Sequence, residues 1–344
     1  MANIDYEKIN KYLNRYCSKM DGSYFLENIS TLYNLTLSLA RKLKTSIITD
    51  RKVRRSLKEP TQYFTLIESL DLVDKYLTEK LPMYKEDFNK AMSSGTLNIL
   101  DPDDDEVTDL ESYAGIDEQE HHVINVVLSH DANDPNTIIH EFLHDMNRKE
   151  KEKGSRRYIS EAISIYFELD INNFMLEQGV SREDISSLLM YRLNDCYHCS
   201  EDILIVFPLL YYFYNLGQID EQSYQNMLNF NLLPRPSDEK RFNEILSDFQ
   251  KIIEKKPEYD PLHTFSYVIG TMVAFYGINQ GEEFREKMVG LNDLANSGNV
   301  KNIFSHIGID IYNENCIKQI DAGLDKGINI ISTTINKRSS KEKG

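Results

Sequence analysis

Apolar residues recur at three- and four-residue intervals over most of this sequence, and that period belongs to the α-helix. It is regular from Tyr6 to Leu43 and again from Tyr63 to Met92, as in Leu66, Leu70, Leu72, Val73, Tyr76 and Leu77. One segment departs from it: Val123-Ile124-Asn125-Val126-Val127-Leu128-Ser129 is short, rich in β-branched residues and expected as the one strand. Asp134-Pro135 then predicts a helix start, with Asp134 capping free backbone N–H groups and Pro135 in the first turn, and this helix should run to about Lys151. A second helix is expected from about Tyr158 to Leu176, ended by Gly179. The remainder, to about Thr334, reads as helical, and the basic segment from Lys337 to Gly344 reads as a disordered tail.

The composition limits the partners. Of 344 residues, 39 are Lys or Arg and 55 Asp or Glu, giving a net charge of −16 that repels phosphate backbones and anionic lipid headgroups. No nucleic acid and no membrane insertion are expected. Ten of the acids fall between Asp101 and Glu120, where mutual repulsion favours a solvated loop. The richest apolar window, Ile203 to Leu216, carries Pro208 and three tyrosines and reads as a buried helix, with Phe207, Tyr211, Tyr212, Phe213 and Tyr214 packing the core. Acidic and polar residues occupy the N-terminus where a signal peptide would be basic and then apolar, so the mature protein is expected to start here. Cys17, Cys196, Cys199 and Cys316 show no regular pairing, and Cys196-Tyr197-His198-Cys199 has no second CxxC to complete a structural zinc site; a reducing, cytoplasmic location is expected, with export as an effector lacking a cleavable signal peptide as the other possibility.

Within the predicted helix after the strand lies His140-Glu141-Phe142-Leu143-His144, an HExxH pattern. Four residues at about 100° each return to nearly the same face, so both imidazoles can reach one metal ion. Glu141 then stands beside the open coordination position as a general base for a water. A catalytic zinc normally has three protein ligands, and Glu161, which follows His144 after 16 intervening residues, can supply the third from an antiparallel return helix. Glu168, two turns further along the same face, and Ser160 are expected as outer groups, with Glu168 accepting the second N–H of a ligand imidazole. The competing expectation makes Glu161 and Glu168 two solvated acids on an outward face. His121, His122 and His130 flank the strand and read as surface residues; on an edge strand beside the metal one of them would touch substrate.

The strand, HEFLH and the Glu161 segment resemble a gluzincin metallopeptidase, and in detail the thimet oligopeptidase and oligoendopeptidase F family. That family pairs its third-ligand Glu with another acid seven residues on, as Glu161 and Glu168 are spaced here. Pro261-Leu262-His263-Thr264-Phe265-Ser266-Tyr267-Val268-Ile269-Gly270 is similar to its substrate-facing segment, with Tyr267 and Gly270 matching and His263 and Thr264 standing where tyrosines are common. Leu143 occupies a position that is usually Gly, the spacer to Glu161 is short for the family, and most of the N-terminal helical half that roofs the family's substrate channel is expected to have no counterpart.

The resemblance implies a mostly α, zincin-like metallopeptidase with a small β-sheet beside the HExxH helix and a helical C-terminal part. Its expected organisation is an N-terminal helical region over residues 1–100, a catalytic region over 101–336 and the tail over 337–344. One Zn2+ would be held by His140, His144 and Glu161. A zinc-activated water, with Glu141 as base and Tyr267 and His263 as oxyanion donors, would cleave oligopeptides or one specific folded protein. The alternative from another class is a catalytically silent zincin scaffold that binds peptides or proteins. Glu141 speaks against it, since a purely structural zinc site has no use for a base.

Overall fold

The computed structural model describes residues 4–18, 22–46, 62–101, 112–117, 121–147, 160–230, 236–256, 259–278, 280–291, 294, 300–310 and 313–341. The fold is mostly α-helical with one small sheet. The first long helical stretch divides into α1 (Tyr6–Cys17) and α2 (Gly22–Thr45), and the second into α3 (Leu66–Lys80) and α4 (Lys85–Ser94), with a 3-10 turn starting at Pro82 between them. Pro82 lacks the N–H that a continuous helix would need there. Thr65 and Glu68 cap α3 reciprocally, each side chain bonding the other's backbone N–H.

Three strands form the sheet among the described residues: β1 (Leu97–Leu100), β2 (Tyr113–Ile116) and β3 (His122–Val127), in the order β1-β3-β2. β1 runs parallel to β3 and β2 antiparallel to it. Two expectations are corrected here. The segment around Val123 is the central strand rather than an edge, and the acidic stretch is not all loop, because the locally apolar Tyr113-Ala114-Gly115-Ile116 pairs with β3. Residues 102–111 and 118–120 of that stretch lie outside the described residues. On β3, Ile124 and Val126 are fully buried and lie on one face. The strand packs against α5 (Asp134–Asn147).

Asp134 is the first residue of α5, and its carboxylate turns back to accept the Ser129 N–H at 2.7 Å, so it ties helix to strand where a helix cap was expected. Burial pushes this carboxyl up to about 6. α6 (Ser160–Glu177) returns beside α5, and α7 (Arg182–Leu216) continues through Pro208, held by contacts with α1, α2 and further helices. Along it Phe207, Tyr212 and Phe213 are buried as expected, but Tyr214 is exposed. Further on come α8 (Ser223–Asn229), α9 (Glu239–Lys255), α10 (Pro261–Gly277), α11 (Glu282–Val289), α12 (Val300–His306) and α13 (Glu314–Lys341). The backbone of α13 stays helical past Lys337, into the segment expected as a disordered tail; lysines are compatible with a continuing helix. No helix among the described residues is long and apolar enough to cross a membrane.

The centre of the molecule is α10, which is apolar nearly all round and packs against α6, α7 and α13. Two glycines allow these close crossings. A Cβ at Gly270 would meet Ile165 Cδ1 at 2.8 Å and the Glu161 carbonyl oxygen at 3.0 Å, and a Cβ at Gly323 of α13 would run into the Phe275 carbonyl.

Candidate metal centre

Two helix faces meet across the α5–α6 interface. Asn136, His140 and His144 lie four residues apart on α5, and Glu161, Glu168 and Asn172 share a stripe on α6. They pair as rungs of a ladder. His144 Nε2 lies 3.3 Å from Glu161 Oε2, His140 Nδ1 lies 2.5 Å from Glu168 Oε1, and Asn136 Nδ2 donates to Asn172 Oδ1 at 3.0 Å. Ser164, between the acids, donates to the His140 carbonyl oxygen at 3.2 Å. Glu161 and Glu168 are 2% and 7% exposed, which removes the alternative of solvated acids on an outward face.

The tautomer of His140 follows from its neighbours. Glu168 takes the Arg192 guanidinium through Nε at 2.9 Å and through Nη2 at 2.5 Å to each oxygen. Burial alone would raise the Glu168 carboxyl, but Arg192 and then His140 hold it below its ordinary value. An ionised Glu168 can only accept, so His140 Nδ1 carries the proton and Nε2 is left as a lone pair. That lone pair faces His144 Nε2 at 2.9 Å and Glu161 Oε2 at 3.5 Å.

Glu161 Oε2 is buried and accepts no hydrogen bond among the described residues. Burial disfavours its charge, yet His144, His140 and His263 together bring the carboxyl down to about 2. For His140, burial opposes protonation while Glu168, Glu161 and Glu141 outweigh it, so its pKa is raised. Two imidazole nitrogens and a carboxylate oxygen thus lie within 4.8 Å of one another and need a shared positive charge. A set of two nitrogens and one oxygen fits a zinc ion.

A cleft of about 660 Å³ opens over this group, with His140 and Glu141 in its lining. His263 and Tyr267 approach from α10, where Asp260 caps the helix by accepting the Leu262 and His263 N–H groups. His263 Nδ1 stands 3.7 Å from Glu161 Oε1, and its ring meets that of Tyr267 edge-on at 5.0 Å. Burial first, then Glu161, pushes the Tyr267 hydroxyl far above its ordinary value, so it remains a donor. Arg192 also lies over the Tyr267 ring, 5.8 Å from its centre.

The remaining expected residues lie outside the metal group, although Cys199 lines the cleft. Ser160 opens α6, and its side chain lies outside the described residues. His121 pairs with Asp117, His122 with Asp145 and His130 with Asp101, and none of the three lines the cleft. Cys196 and Cys199 are free thiols on α7, both raised by burial. Arg192, Asn136 and Asn172 are new. Arg192 was detectable as the one cation in the otherwise apolar or neutral run Leu188 to Leu193, and Asn136 by its four-residue offset from His140.

No protein-family model and no curated protein matches the sequence. Solved structures do resemble the fold. A protein assigned as a peptidase from Chlamydophila abortus superposes with a TM-score of 0.58 at 15% identity, over 88% of this chain and 55% of its own. A protein assigned as an oligoendopeptidase F from Bacillus anthracis str. Ames gives a TM-score of 0.49 at 15% identity, over 93% of this chain and 56% of its own. The chain therefore spans a little over half the length of the solved structures it resembles. Its architecture, mostly α with a small three-stranded sheet, is similar to the fold of the Chlamydophila abortus protein.

Proposed function

We propose that this chain is a zinc-dependent metalloendopeptidase of the gluzincin type, related to the thimet oligopeptidase and oligoendopeptidase F family. The carrying observation is the buried convergence of His140, His144 and Glu161 beside Glu141 in one cleft. The peptidase fold supports it independently. His140, His144 and Glu161 would hold the metal, which when bound supplies a Lewis acid that polarises a carbonyl and acidifies water.

The chain's own residues carry the proton steps. Glu141 takes a proton from the attacking water and passes it to the leaving amine. The Tyr267 hydroxyl, kept protonated, and the His263 ring donate toward the oxygen of the substrate carbonyl as it gains charge. Glu168 holds the His140 ring in its orientation, and Arg192 holds Glu168. The substrate is an oligopeptide or one specific protein.

Metal analysis of the purified protein, with mass spectrometry of a mixed peptide library before and after chelation, tests this function. About one zinc per chain and chelator-sensitive cleavage are expected. Zinc retained with no peptide cut would leave a binding scaffold, and no zinc at all would refute the ligand set.

A further inference from the structure

The third rung of the α5–α6 ladder serves neither the metal nor the proton transfers. Asn136 and Asn172 are 5% and 4% exposed and share one hydrogen bond of 3.0 Å. A carboxamide offers an oxygen and an NH2 group, so a pair joined by one bond keeps an acceptor in reserve. Here it is Asn136 Oδ1, buried and without a partner among the described residues. Turning both amides over only transfers the spare oxygen to Asn172. Two apolar side chains would pack this rung with no such deficit, as they do over most of α6.

Both asparagines line the same cleft as His140 and Glu141. Ser112, Asn133 and Thr137, all neutral hydrogen-bonding groups, line it too, and Asn133 Nδ2 donates to Thr137 Oγ1 at 3.2 Å. A spare neutral acceptor matches the N–H of a peptide backbone and makes no demand on side-chain charge. Asn136 precedes His140 by one helical turn, about 6 Å along the axis, and an extended peptide covers that in roughly two residues.

Building on the proposed peptidase function, we infer that the Asn136–Asn172 pair is a substrate subsite that binds a backbone N–H of an extended peptide segment about two residues from the bond to be cut. Asn172 positions Asn136, and the small side-chain rotation that offers Oδ1 to the cleft is completed by the peptide.

The test measures binding, so it does not depend on turnover. Fluorescently labelled decapeptides from the library, each with one backbone amide N-methylated in turn, are titrated by anisotropy against the zinc-loaded protein carrying Glu141→Gln, which serves as the parent and does not consume the peptide, and against its Asn136→Ala variant. N-methylation at one position should weaken binding to the parent about tenfold and leave binding to Asn136→Ala nearly unchanged. Zinc content should be equal in both proteins, which excludes a general loss of fold. Equal losses in parent and variant at every position would overturn the subsite while leaving the peptidase assignment intact. Amide-dependent binding without any cleavage by the protein that retains Glu141 would do the reverse. No binding by any decapeptide would overturn both.

Discussion

Arg192 and Glu168 are buried together, and separating them should distinguish stability from metal binding. Arg192→Met strips Glu168 of its guanidinium, leaving the His140 Nδ1 contact of 2.5 Å as its main support. Removing one partner of a buried pair costs about 3–5 kcal/mol, and the surviving imidazole places this variant near the lower end. Glu168→Met strands the guanidinium with Asp195, whose oxygen is 3.7 Å away, and should cost about as much. The double variant puts two apolar side chains where two charges were, so its cost should be near zero, with a coupling of at least about 2 kcal/mol. Zinc affinity should follow a different rule. Only Glu168 fixes the His140 tautomer, so Glu168→Met and the double variant should bind zinc about 10–100-fold more weakly, equivalent to about 1.4–2.7 kcal/mol, while Arg192→Met loses less. Urea denaturation of the metal-free proteins gives the first set of numbers, and competition with a chromophoric chelator gives the second. Additive destabilisation in the double variant, or parental zinc affinity in Glu168→Met, would refute the chain of contacts from Arg192 to the metal.

Further outcomes follow from the same geometry. Glu141→Gln should keep zinc and fold but lose at least about a hundredfold in turnover; parental cleavage by this variant would remove the base from the mechanism. Tyr267→Phe should lower kcat by about a hundredfold with little change in KM or zinc content, and an unchanged kcat would leave the oxyanion without this donor. In the metal-free protein the raised His140 contributes stability below its unfolded pKa near 6.5 that fades as pH rises through its folded value, and Glu161 contributes stability above 4.5 that is lost as pH falls toward about 2. Thermal melts should accordingly peak near pH 5–6 without zinc, and the stabilisation by added zinc should grow from there upward as protons leave His140; a zinc effect that shrank with rising pH would contradict this. Gly270→Ala, whose Cβ would press on the Glu161 carbonyl, should cost about 1–3 kcal/mol and weaken zinc binding, both visible in melts with and without the metal.

The helices of the site are legible in the sequence because their signals are local: the spacing of His140 and His144, and Gly179 after α6. The pairs across the α5–α6 interface are only partly so. Glu161 and Glu168 stand out as acids in an apolar stripe, whereas Asn136 and Asn172 have no partner within either helix and acquire meaning only when the helices meet. Arg192 is separated from Glu168 by the whole turn between α6 and α7. β1 and β2 escape sequence reading because four-residue strands are shorter than any clear alternating pattern, and β3 holds them in place. The window around Pro208 reads as a buried helix despite the proline, and α7 does continue through it, since tertiary packing overrides a local helix breaker.

α6 is buried around nearly its whole circumference and mostly by apolar side chains, so grease alone could seat it at several heights along α5. The polar rungs act as a vernier. Sliding α6 by one turn would bring Ile165 opposite His144, Asn172 opposite His140 and Leu176 opposite Asn136, stranding two carboxylates in an apolar interface. Each wrong height is thereby penalised, and the feature that gathers the proposed metal ligands also selects one packing of the two helices. A chain assembling before it meets any ion would already carry, in three pairs of side chains, the instruction for where those ligands must stop.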